Sequence, residues 1–272
     1  MAEPSTRAEP NASVENAFAV IRLLAMADAP IGVADIARQL GMSLTTTHRV
    51  VTTLCEADFV SQRGEGGKYE PGLRVRELMM ALYRRYPIRS AATPTMRELA
   101  RLSGQAATLT VRFGNLALRI AGVQDHKYVH RPLLIGEATP LGVGAAALAI
   151  LAGQDENARK SILAALRGRI DADTRKRIPT EIETARAARY VTQESDGLTV
   201  VAFPVCNLDR IAVAAIALEG ASVQFRTPRA YEIKKMLAVV ARFQARCDAR
   251  PELLSGPFDR IPDAAMNPPK AC

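Results

Sequence analysis

The sequence predicts an α+β chain in two parts: three short helices and a β-hairpin, then a larger unit built on a mostly antiparallel sheet. Three observations carry this reading. From Ser13 to Leu54 apolar residues recur at helical spacing in three runs, interrupted by Asp28-Ala29-Pro30 and by Gly41. After Asp58 the pattern becomes short and extended on either side of Gly64-Glu65-Gly66-Gly67. Beyond Ala106 strand-like and helix-like stretches alternate, with no internal repeat.

Ser13 is placed to cap the first helix, whose stripe is Val14, Ala17, Phe18, Ile21 and Leu24. The second runs from about Val33 to Leu40, with Val33, Ile36, Ala37 and Leu40 at i, i+3, i+4, i+7, and Gly41 turns the chain. Ser43 caps a third helix that turns Thr47, Val50, Val51 and Leu54 inward and presents Thr45, Thr46, His48, Arg49, Thr52 and Thr53 outward. Phe59 to Arg63 and Lys68 to Glu70 form the hairpin, closed by Pro71-Gly72. A long helix follows over Leu73 to Tyr86, broken by Pro87, and a second helical stretch reaches Leu102. Strands are expected at Ala106–Phe113, Leu116–Val123 and Lys127–Ile135, the first two joined at Gly114-Asn115. Helices follow at Val143–Ala152 and Glu156–Leu166, and at Pro179–Arg189 with Pro179 at N1. Thr199–Cys206 and Ile211–Leu218 are β-rich, and Pro228–Cys247 makes a closing helix before a proline-rich end.

The expected organisation is a disordered N-terminus (1–12), a helical and hairpin domain (13–72), a helical linker and dimerisation region (73–103), an α+β domain (104–248) and a flexible tail (249–272). With 272 residues, 48% of them apolar and 24% charged, the chain has enough material for real cores. No apolar run approaches the ~18 residues a membrane span requires, so no membrane partner is expected. Cys55, Cys206, Cys247 and Cys272 are scattered without Cys-x-x-Cys, which points to reduced thiols and a cytoplasmic protein.

Three helices followed by a hairpin form the winged helix-turn-helix arrangement, and the third helix has the chemistry of a major-groove reader. Thr45 and Thr46 offer short hydroxyls near its start, and Arg49, one turn on, suits guanine O6 and N7 or a phosphate. Met42 to Leu54 contains no carboxylate, as a surface pressed on phosphates requires. Ser43, His48 and Thr52 share that surface, and Arg63 and Lys68 flank the hairpin tip, where they can track the DNA backbone. Net charge does not make this case. The chain is +8 overall, yet residues 1–72 hold six Lys and Arg against nine Asp and Glu. A winged helix that binds protein instead, as an interaction adaptor, fits the periodicity equally well.

At Gly41-Met42-Ser43-Leu44-Thr45-Thr46-Thr47-His48-Arg49-Val50-Val51-Thr52-Thr53-Leu54 and the Phe59-Val60 strand, the sequence resembles the IclR-type bacterial transcription regulators. Thr45-Thr46, His48 and Arg49 match that family's third helix, whereas Ser43 and Leu44 stand where it usually carries Pro and Lys. The similarity continues through Thr139–Ala152, Ala202-Phe203-Pro204-Val205 and Ala214–Leu218, in order, over residues 13 to 247. It implies a regulator that binds a double-stranded DNA operator as a homodimer or homotetramer and takes a small organic acid in its second domain. Carried over by position, the pocket is lined by Gly144, Ala145, Ala146, Leu198, Val200, Ala217 and Glu219, with Arg112 or Arg119 facing the anion. Val200, Ala217 and Gln193 replace the usual Cys, Ser and Asp, which implies an apolar pocket suited to an aromatic or longer-chain acid. An apolar core without a ligand is the competing reading.

No catalytic set, cofactor motif or metal site is expected. His126 and His130 lack a third convergent ligand, Ser195-Asp196 has no histidine beside it and reads as a loop, and Gly142-x-Gly144 is too short for a dinucleotide fingerprint. A small-molecule enzyme with an accessory winged helix would need such a set.

Overall fold

The computed structural model describes residues 11–63, 67–124, 133–223, 225 and 230–255. The chain divides into two compact units, residues 1–84 and 85–272.

The first unit contains α1 (Ala12–Met26), β1 (Ile31–Gly32), α2 (Val33–Leu40), α3 (Leu44–Glu56), β2 (Val60–Arg63), β3 (Lys68–Pro71) and α4 (Leu73–Tyr83). Val20, Leu24, Ile36, Val51, Leu54, Val60 and Tyr69 form its core. Asn11, not Ser13, caps α1, its side chain accepting from the Ser13 and Val14 amides. The buried stripe of α1 is also turned from the expected one. Val20 and Leu24 are buried, whereas Val14 and Phe18 are exposed, Phe18 by 66%. The hairpin gains a third strand, because β1 pairs antiparallel with β3 to give the order β1-β3-β2. Gly72 is buried where the chain leaves the sheet. Its amide donates to the Phe59 carbonyl, and a Cβ there would collide with the Asp58 carbonyl. A residue without a side chain is therefore needed at this crossing.

The helix expected to run from Leu73 to Tyr86 ends at Tyr83. It buries no residue, and Leu73, Leu78, Met79, Met80 and Leu82 are exposed.

The second unit begins with α5 (Pro87–Ser103), with Pro87 in its first turn. Its Ile88, Met96 and Leu99 are buried in the core, so this half of the 73–103 segment is part of the second unit's packing. There follow β4 (Ala106–Phe113), β5 (Leu116–Val123), β6 (Ala138–Pro140), α6 (Ala145–Ala152), α7 (Glu156–Ala165), α8 (Ala172–Ala188), β7 (Val191–Ser195), β8 (Leu198–Cys206), β9 (Ala212–Ala221) and α9 (Ala230–Ala249). The six strands make one sheet in the order β6-β5-β4-β9-β8-β7, every pairing antiparallel.

Alternation along the strands divides this sheet into two faces. Leu109, Val111, Val201, Phe203, Val205, Ile216 and Leu218 pack with α5 and α9. On the other face Ala117, Ala202, Ala215 and Ala217 meet α6, whose residues Ala147 to Ala152 are all buried. Alanine against alanine lets α6 approach closely, and at Gly153 even a methyl group would strike Ala212.

Three expectations for this unit change. Leu133 to Gly136 hold no strand, and the rest of the stretch expected as the third strand, with His126 and His130, lies outside the described residues. The edge strand is β6, and β7 occupies the segment read as a loop around Ser195. The helix expected to begin at Pro179 begins seven residues earlier, with Pro179 inside it. Asp171 starts it by accepting from the Thr174 amide at 2.8 Å.

Candidate nucleic-acid interface and ligand cavity

In the first unit Ser43 ends the turn after α2, and its hydroxyl accepts from the Thr46 amide at 3.1 Å and lies 2.8 Å from the Thr46 hydroxyl. The Thr47 side chain is fully buried and donates to the Ser43 carbonyl at 2.9 Å. These bonds fix the start of α3 and its rotation. With Thr47, Val51 and Leu54 turned into the core, Leu44, Thr45, His48, Arg49, Thr52 and Thr53 border one shallow recess on the outer face. Thr45, His48, Arg49 and Thr52 are exposed there, and the Thr53 hydroxyl is tied to the Arg49 carbonyl at 3.0 Å. The face carries no carboxylate until Glu56, the last residue of the helix. Ser43 and Thr46 sit at its N-terminal end, where their hydroxyls already serve the cap.

Arg63 and Lys68 are cross-strand neighbours at the end of the hairpin. Both are exposed, and Arg63 Nε lies 3.5 Å from Glu70. The tip they flank, residues 64–66, lies outside the described residues.

In the second unit a cavity of about 310 Å³ opens between the start of α6 and the sheet. Eight of the nine expected ligand residues line it: Arg119, Gly144, Ala145, Ala146, Leu198, Val200, Ala217 and Glu219. Arg112 is not among them. Its guanidinium donates to the Gly114 carbonyl and to Gln154, each at 2.9 Å, beyond the other end of α6. Gly144 precedes the helix with φ +85°, in the region that favours glycine, and no side chain caps α6. The amides of its first turn are therefore without helical partners.

The wall is more polar than the sequence implied. Thr108, Thr110, Glu137, Thr139, Gln193 and Ser195 line it as well. Thr108 and Thr110 are 1% and 5% exposed, and neither hydroxyl has a hydrogen bond among the described residues. The signal was present in Ala106–Val111, where Thr alternates with Leu109 and Val111. What period two cannot say is which face of the strand meets a cavity. Arg119 is held from two sides, its guanidinium 3.1 Å from Glu137 and 3.3 Å from Glu219. Its main chain also exchanges hydrogen bonds with Glu137 and Gly136.

Among the described residues no helix is long and apolar enough to cross a membrane, and no three His, Cys, Asp or Glu side chains converge as metal ligands.

Residues 13–64 match the model of the IclR helix-turn-helix domain, and residues 80–244 that of the bacterial transcriptional regulator IclR C-terminal domain. The chain is 29% identical to the HTH-type transcriptional repressor AllR of Escherichia coli K12 over 226 residues, covering 80% of this chain and 83% of that protein. It is also 29% identical to the glycerol operon regulatory protein of Streptomyces coelicolor over 261 residues, covering 90% and 98%. Among solved structures, an IclR regulator of Alicyclobacillus acidocaldarius superposes with a TM-score of 0.69 at 21% identity, covering 89% of this chain and 99% of that one. An IclR homologue of Microbacterium hydrocarbonoxydans, crystallised with 4-hydroxybenzoate, gives 0.70 at 17% identity with the same coverage. The two domain models follow one another here in the order of the two units, and the chain belongs to the IclR family of bacterial transcriptional regulators.

Proposed function

We propose that this regulator binds a palindromic operator as a dimer or a dimer of dimers, reading each half-site with the outer face of α3. The observation that carries this reading is the carboxylate-free face of Thr45, His48, Arg49 and Thr52, fixed in rotation by the buried Thr47. Arg49 is the base-reading residue, and Ser43, Thr46, Arg63 and Lys68 contact phosphate. Two-fold symmetry then spaces the half-sites by about one helical turn, ~34–36 Å, or a multiple of it.

Dimerisation is supported by the apolar surface of the first unit. Val14 and Phe18 on α1, with Leu78, Met79 and Leu82 on α4, are exposed, although they are the residue types a core would take. A second copy of the same surface is the partner that would cover them.

The cavity at the start of α6 is the effector site. Its volume of about 310 Å³ lies at the small end of ordinary ligand pockets, ~300–1,000 Å³. A small ligand of the kind held by the Microbacterium homologue, 4-hydroxybenzoate, would fit such a cavity. Effector binding would shift the population of states with different recognition-helix spacing, acting through the segment 73–103, and so change operator affinity. The protein acts as a cytoplasmic, non-enzymatic switch. The test is in vitro selection of a DNA site with the full-length protein, followed by footprinting with and without effector. A selected site without two-fold symmetry, or protection unaffected by every ligand that binds the cavity, would overturn this reading.

A further inference from the structure

We infer that the effector is a small uncharged molecule of the polyol or sugar class rather than an organic acid, and that Thr108 and Thr110 select it. The inference rests on the α6 cavity being the effector site. Its ground is the polar inventory of the wall.

Arg119 is the only cation that lines the cavity among the described residues, and it is already matched by two carboxylates, Glu137 at 3.1 Å and Glu219 at 3.3 Å. Arg119 and Glu219 have side chains only 18% and 11% exposed, so water screens this group weakly. An organic acid, the class that the family resemblance implies, would bring another negative charge to a wall that carries two carboxylates and one guanidinium. Its carboxylate offers only acceptors, and the carboxylates of the wall are acceptors too.

A hydroxyl-rich ligand meets a different balance. Thr108 and Thr110 are buried, line the cavity and have no hydrogen bond of their own among the described residues. They lie two residues apart on one face of β4, about 7 Å at the usual strand rise. Both side chains line the cavity, and each hydroxyl can donate and accept. A ligand hydroxyl does the same. It can satisfy a threonine, donate to a glutamate and accept from an α6 amide without adding charge.

The test uses the full-length protein, calorimetry and thermal shift. One panel holds erythritol, xylitol and myo-inositol, the other pyruvate, benzoate and 4-hydroxybenzoate, all at millimolar concentration. Wild-type protein is expected to bind at least one polyol saturably. Thr108→Val/Thr110→Val should weaken that binding at least tenfold, Thr108→Ser/Thr110→Ser should retain it, and Ala146→Phe, which fills the cavity, should abolish it. Glu137→Gln/Glu219→Gln, by releasing Arg119, is expected to create carboxylate binding that the wild type lacks. No saturable response to any polyol overturns the proposal. Acid binding to the wild type that Ala146→Phe blocks overturns the ligand class and leaves the site in place. Binding of either panel that persists in Ala146→Phe overturns the site itself.

Discussion

Ser43 has two duties that one pair of substitutions separates. Its hydroxyl takes up one of the unpartnered amides at the start of α3, that of Thr46 at 3.1 Å, and also meets the Thr46 hydroxyl at 2.8 Å. Removing an N-cap acceptor costs ~1 kcal/mol, within a range of ~0.5–2. Because Ser43 is exposed, water replaces part of the bond, and Ser43→Ala should fall near the middle or lower half of that range. About 1 kcal/mol is a factor of roughly five in the opening equilibrium of the first helical turn. Hydrogen exchange of peptides covering α3 should therefore quicken by about that factor. Ser43→Asp restores the acceptor, and its charge at a helix N-terminus is worth a further ~0.3–1 kcal/mol. Exchange should return to the wild-type rate or below it. The same aspartate faces phosphate in the proposed complex, so operator affinity should drop even though the helix is intact. Unchanged exchange in Ser43→Ala would refute the cap, and full operator affinity in Ser43→Asp would refute the docking of this end of α3 on DNA.

Other expectations follow from single features of the two units. Phe18→Asp combined with Leu78→Asp, both at exposed positions, should leave each fold intact and yield monomers in sedimentation velocity; an unchanged assembly would remove the apolar surface from the interface. Gly72→Ala drives a methyl group into the Asp58 carbonyl and should destabilise the first unit by ~1–3 kcal/mol, read as faster exchange in β2 and β3. Burial raises the Cys55 and Cys206 thiols above their ordinary value, and Cys247 to about 11. Cys247 should resist alkylation at pH 8 in the native protein. Its folded value of about 11 lies above the ordinary 9.0, so the unfolded chain loses this proton first, and its contribution to stability should be full below pH 9 and decline between the two values. A midpoint of denaturant unfolding that does not fall in that window would contradict the burial of this thiol.

The sequence made α3 legible because its pattern is nearly complete locally: a cap, a helical stripe and an acid-free outer face within a few turns. It misjudged α1 because apolar residues occupy two of its sides. Val14 and Phe18 share spacing with Leu24, and only packing decides that Val20 faces the core and Phe18 does not. The edge strands were missed for a related reason. β6 is three residues long, and β7 ends in Glu194-Ser195, polar residues that carry no strand signal. Arg112 and Arg119 looked equivalent as anion partners from their residue type and from lying on adjacent strands. Register separates them, pairing Arg112 with Ala117 at the hairpin end and Arg119 with Thr110 beside the cavity. Thr110 and Glu137 reach Arg119 through a strand pairing and a main-chain hydrogen bond that no local pattern encodes.

The most direct measurement of the central claim is operator affinity of Arg49→Ala by fluorescence anisotropy, on the site selected with wild-type protein and at fixed salt. Loss of a base-reading arginine should weaken specific binding by ~1–3 kcal/mol, roughly 5- to 150-fold, and relax preference at one position of each half-site. Non-specific DNA should be bound with far less change. Undiminished specific affinity in a variant whose α3 exchange pattern matches wild type would contradict the account, because the exposed face of α3 would then not be what reads the operator.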